Sequence, residues 1–133
     1  MHVFTYGSLM FPAVWERVVR GRYRSAPAML PGYARHAVEG ETYPGMVQQS
    51  DSAVNGVLYF DVDEADLLAL DVFEGGEYRR EQVRVSIAAD ENQMAATYVF
   101  MAADRLTRQP WQPEAFRMQH FMDAYCPDPA TPK

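Results

Sequence analysis

Apolar positions along this chain recur at two spacings, every second residue or every third to fourth, and the switches between them mark out the elements. Met1-His2-Val3-Phe4-Thr5-Tyr6 is a short apolar run suited to a buried strand, and Gly7-Ser8 ends it. Pro12 then opens a helical pattern through Trp15, Val18 and Val19. From Gly21 to Gln49, apolar pieces alternate with Pro27, Pro31-Gly32 and Pro44-Gly45, which predicts short strands joined by turns. Ser50-Asp51-Ser52 predicts a further turn, and Val54 to Phe60 a strand apolar enough to be covered on both faces. Gly56 inside it permits a bulge or a close backbone approach.

A helix follows, with Asp63 as N-cap, acidic Glu64 and Asp66 in its first turn, and Leu67 and Leu70 at helical spacing. Gly75-Gly76 stops it. Val83, Val85 and Ile87 alternate with polar residues over Tyr78 to Ala88, and Met94 to Met101 forms the partner strand beyond an Asp90-Glu91-Asn92 turn. Leu106 to Pro110 reads as loop, Pro113 as the start of a terminal helix carrying Phe116, His120, Phe121 and Tyr125, and 127–133 as a Pro-rich frayed tail. Six or seven strands with three helices predict an α+β fold, a small mixed β-barrel with flanking helices. One domain over 1–126 precedes the tail.

Composition narrows the function classes. Apolar residues make up 48% and aromatics 13% of the 133 residues, enough for a packed core. The net charge of −6 argues against a nucleic-acid partner. A lone cysteine, Cys126, excludes an internal disulfide and fits a reducing compartment. No stretch approaches the roughly 20 apolar residues of a membrane span, so the expectation is a soluble, cytoplasmic protein with no membrane partner.

Candidate chemistry is sparse. His2, His36, His120 and Cys126 have no metal-ligand spacing, and the acidic run from Asp61 to Asp66 lacks the glycine and terminal glutamate of a calcium loop. Ser8 lies outside any Gly-x-Ser-x-Gly elbow; a Ser8 acyl-transfer enzyme is the third and weakest functional reading. Arg79, Arg80 and Arg84 form a solvated strand face, or lend one guanidinium to a ligand carboxylate. Glu74 continues the inward stripe of Leu67 and Leu70, where desolvation and the helix C-terminus both raise a carboxyl pKa towards the range of a general base. The other reading of Glu74 is a surface residue at a frayed helix end, paired with Arg79 or Arg80. The strand–Gly–helix arrangement around Gly7 either aims backbone N–H groups at an anion or is simply a turn.

Val3-Phe4-Thr5-Tyr6-Gly7-Ser8-Leu9, Val54-Asn55-Gly56-Val57-Leu58-Tyr59, Leu70-Asp71-Val72-Phe73-Glu74-Gly75 with Tyr78 and Arg80, and Ala96-Thr97-Tyr98-Val99 together resemble the γ-glutamylcyclotransferase-like family. They occur in the family's order and span most of the chain. The resemblance implies a compact β-barrel with a pocket at the Tyr-Gly-Ser-Leu loop, Glu74 as proton acceptor, and Tyr6, Gly7, Ser8 and Leu9 as the substrate loop. It further implies release of 5-oxoproline from a small γ-glutamyl substrate, without metal or cofactor. Met10-Phe11-Pro12-Ala13-Val14-Trp15 departs from the first loop of the γ-glutamylamine branch and is similar to a plant-and-bacterial branch. The competing class is a non-catalytic module that binds a small carboxylate or a protein on the same fold.

Overall fold

The computed structural model describes residues 1–88 and 91–113. Its strands are β1 (Val3–Thr5), β2 (Ser25–Val38), β3 (Pro44–Tyr59), β4 (Tyr78–Ala88), β5 (Glu91–Phe100) and β6 (Leu106–Pro110). Helix α1 (Pro12–Val18) follows a 3₁₀ turn at Ser8–Met10, and α2 (Glu64–Glu74) joins β3 to β4. The sheet order is β3-β1-β5-β4-β2, and the pairing of β2 with β3 closes it into a five-strand barrel, with β6 added along β2. The barrel is mixed, because β1 runs parallel to β5 at Val3↔Ala96 and antiparallel to β3 at Val3↔Tyr59. Every strand of the ring is thereby paired on both sides, though β2 and β4 meet at one residue pair only.

Strand alternation sorts the core into two halves. Phe4, Leu30, Met46, Val54, Leu58, Val83, Val85 and Ala95 fill the barrel. Val3, Tyr59 and Tyr98 point out of it and pack beneath the helices, against Val14, Trp15, Leu67 and Leu70. β3 is therefore covered on both sides, with Leu58 inside and Tyr59 outside, as its apolar run predicts. Close approach also explains Gly56, where a Cβ would lie 2.1 Å from the Thr5 carbonyl oxygen.

The stretch from Ser25 to Tyr59 departs from the expected short strands. It is one long hairpin, paired from Ser25↔Tyr59 to Ala37↔Pro44. Pro27 and Pro31 fit within β2 because β2 meets β4 only at Met29↔Ser86, leaving that edge without a ladder that needs their missing N–H groups. The Ser50-Asp51-Ser52 turn forms, with Asp51 at φ 65°, but as a bulge: Pro31 pairs with Ala53 and Tyr33 with Gln48, so Gln49 to Ser52 face Gly32 alone. Leu106 to Pro110, expected as loop, is a strand because β2 offers it an edge at Val38↔Leu106 and His36↔Pro110. The predicted terminal helix and tail lie outside the described residues, as does part of the predicted Asp90-Glu91-Asn92 turn. No described helix is long and apolar enough to cross a membrane.

Candidate active site

α2 is set by its two ends. The Asp63 carboxylate accepts the Asp66 N–H at 2.8 Å, the N-cap expected from sequence. Asp66 does more than supply charge to the first turn. Its buried carboxylate accepts from the Arg20 and Gly21 N–H groups, both at 2.9 Å, and from the Tyr23 hydroxyl at 2.6 Å. Burial opposes its ionisation, but the Tyr23, Arg20 and Gly21 donors outweigh it and hold the carboxyl below its ordinary pKa. The first turn of α2 is thereby tied to the loop after α1. At the other end Gly75 takes φ 82° and its N–H returns to the Asp71 carbonyl, so the helix stops just after Glu74.

Leu67 and Leu70 bury in the core beneath the helices, and Glu74 continues their stripe into a cleft at the barrel mouth. The same cleft is lined by Tyr6, Gly7, Ser8 and Leu9. The fold thus brings Glu74 together with the loop from Tyr6 to Leu9, whereas Arg79, Arg80 and Arg84 do not line the cleft. Tyr43, Pro44, Tyr78 and Tyr98 complete much of the wall. Its free interior is about 20 Å³, room for one water. Gly7 is required there, since a Cβ would come within 2.9 Å of the Pro44 ring.

Glu74 is half-buried as a residue and lines the cleft. Its carboxyl has no hydrogen bond or ion pair among the described residues. The pairing with Arg79 or Arg80 considered from sequence does not form: Arg79 bonds Glu81, and Arg80 reaches Asp71 at 3.3 Å. With no donor to compensate, burial pushes the Glu74 pKa up to about 8. The Met10 N–H closes the 3₁₀ turn on the Gly7 carbonyl at 3.0 Å, whereas the Gly7, Ser8 and Leu9 N–H groups have no partner among the described residues.

Sequence reasoning missed how the tyrosines are used. Tyr6 donates to the Tyr98 carbonyl, Tyr78 donates to the Pro44 carbonyl at 2.7 Å, and Tyr98 donates to Asp71 Oδ1 at 2.6 Å. Burial raises the pKa of all three, with the nearby Glu74 adding to it, so they stay protonated. Tyr78 and Tyr98 stand in the segments that carry the family resemblance, but nothing in those segments shows where their hydroxyls go. Among the described residues no three His, Cys, Asp or Glu side chains come together as a metal site, and no histidine lines the cleft to serve as base to Ser8.

The chain is thus a closed mixed barrel whose cleft sets one carboxyl beside the N–H groups of Gly7, Ser8 and Leu9, none of them with a partner among the described residues. The chain belongs to the AIG2-like gamma-glutamyl cyclotransferase family, whose model matches residues 3–116. AIG2-like protein D of Arabidopsis thaliana is 36% identical over 107 residues, 78% of this chain and 70% of the relative. Protein AIG2 C of the same plant is 34% identical over 122 residues, covering 90% and 73%. The solution structure of an Arabidopsis thaliana protein superposes with a TM-score of 0.72 at 33% identity, covering 92% of this chain and 76% of the other. A solved gamma-glutamyl cyclotransferase shares the fold at a TM-score of 0.69 and 18% identity, covering 99% and 91%.

Proposed function

We propose that this protein cyclises a small γ-glutamyl amide to 5-oxoproline and releases an amine, with Glu74 as general base and then general acid. The observation that carries this reading is a Glu74 carboxyl without a partner among the described residues, lining the same cleft as the Gly7, Ser8 and Leu9 N–H groups, which also have none there. The loop N–H groups take the substrate's α-carboxylate. Glu74 takes a proton from the α-ammonium. Its pKa of about 8 lies far closer to that of an amine than an ordinary carboxyl's does, which eases the transfer.

The freed amine attacks the γ-carbonyl carbon and a C–N bond forms. Glu74 gives its proton to the departing nitrogen as the amide C–N bond breaks, and the second proton of the new ring nitrogen passes through the same carboxylate to the departing amine, which leaves as its ammonium. Attack is intramolecular, and holding the substrate curled can supply on the order of 7–11 kcal/mol of the barrier. The tetrahedral oxyanion needs a donor. The Tyr6 hydroxyl is committed to the Tyr98 carbonyl, which leaves a loop N–H for that role.

The test is Glu74→Gln, assayed against a panel of γ-glutamyl peptides and amines for 5-oxoproline release. We expect turnover by the native protein and a loss of about 10²-fold or more in the variant. A folded variant with native activity would remove Glu74 from the chemistry. Calorimetric binding across the panel with no turnover by the native protein would instead favour a carboxylate-binding module.

A further inference from the structure

Asp71 lies one turn before Glu74 on α2, and its two oxygens face different donors. Oδ1 accepts the Tyr98 hydroxyl at 2.6 Å, while Oδ2 meets the Arg80 guanidinium at 3.3 Å. Residues three apart on a helix are neighbours on its surface, and Tyr98 lines the cleft with Glu74, yet neither Tyr98 nor Arg80 donates to Glu74. The other tyrosine hydroxyls around the cleft are committed as well. Tyr6, at the end of β1, and Tyr78, on β4, donate to backbone carbonyls. Tyr43, just before β3, is bonded to Glu41 and Arg105. Glu77, between α2 and β4, takes Arg105 on both its oxygens at 2.5 and 2.6 Å.

We propose that Asp71 is a positioning residue that holds the Tyr98 hydroxyl and the Arg80 guanidinium on its own carboxylate and so keeps both donors off Glu74. Either donor on Glu74 would stabilise its ionised form and weaken it as a base. Asp71 touches no substrate in this scheme; it acts by occupying its neighbours. The assignment of Glu74 as acid/base underlies the catalytic meaning of this inference, but the protonation of Glu74 can be measured without any substrate.

The experiment is a carboxyl ¹³C NMR titration of the full chain, with the Glu74 signal assigned by its disappearance in Glu74→Gln. The native midpoint is expected near 8. Asp71→Ala should lower it by about one unit or more. Adding Arg80→Met and Tyr98→Phe, which removes the released donors, should restore it. Asp71→Asn keeps an acceptor for Tyr98 but turns an NH₂ towards Arg80, so a smaller fall is expected, cancelled by Arg80→Met alone. That pair decides the matter if Asp71→Ala does not fold.

A native midpoint in the ordinary carboxylate range would overturn the proposal. So would an unmoved midpoint in the Asp71 variants, or a fall that survives removal of both donors. A purely structural role for Asp71 would alter stability without this donor-dependent reversal. Should Glu74→Gln keep native 5-oxoproline release while the titrations behave as expected, the catalytic reading fails and the electrostatic one stands.

Discussion

At Glu74, the geometry that suits a base works against stability. Its folded pKa of about 8 is raised above the unfolded value, so between the ordinary carboxylate range and pH 8 the folded state holds a proton that the unfolded chain has lost. Stability therefore falls as pH rises through that window and levels off above it. Glu74→Gln should match the native protein in urea unfolding at pH 4 and exceed it at pH 9. The expected gain is on the order of 2 kcal/mol, discounted for the half-exposed residue. Catalysis runs the other way, with the acid limb of free-enzyme kcat/KM centred near pH 8 and absent from the variant. Gly7 offers a second single-residue test. Gly7→Ala places a methyl group against Pro44 and should cost about 1–3 kcal/mol while displacing the loop that faces Glu74, read by thermal unfolding and 5-oxoproline assay together.

Among the elements, α2 carries the site because both of its ends are tied down. Asp63 caps it, and Asp66 fastens it to the loop after α1 through two N–H groups and the Tyr23 hydroxyl. Asp66→Asn turns an NH₂ towards those donors and should cost on the order of 1–3 kcal/mol in urea unfolding at pH 7. Because the folded pKa of Asp66 is lowered, its contribution is present above the ordinary carboxylate range and is lost as pH falls through the folded value. The native protein's advantage over Asp66→Asn should accordingly vanish on acidification. The cap of α2 was legible in the Asp63-to-Asp66 spacing, since capping is a local bond. The second role of Asp66 was not, because Arg20 and Tyr23 lie more than forty residues away in the chain. β6 was illegible for a similar reason: Leu106 to Pro110 becomes a strand only because β2 presents an open edge.

For the molecule as a whole, the barrel depends on backbones that approach closely at Gly56. Gly56→Ala drives a methyl group into the Thr5 carbonyl and should split β1 from β3, with a loss of 3 kcal/mol or more, on the order of the largest overpacking penalties, and collapse of the cooperative thermal transition. Barrel class, the positions of α1 and α2, the inward stripe ending at Glu74 and the loop from Tyr6 to Leu9 were readable from the chain, because alternation, helical spacing and glycine placement are properties of neighbouring residues. Closure of the β2–β3 hairpin onto β1, the routing of each tyrosine hydroxyl to its acceptor, and the isolation of the Glu74 carboxyl were settled only by tertiary structure. A carboxyl's pKa depends on which donors lie within hydrogen-bonding reach, and reach across a barrel is fixed by packing that no local pattern encodes.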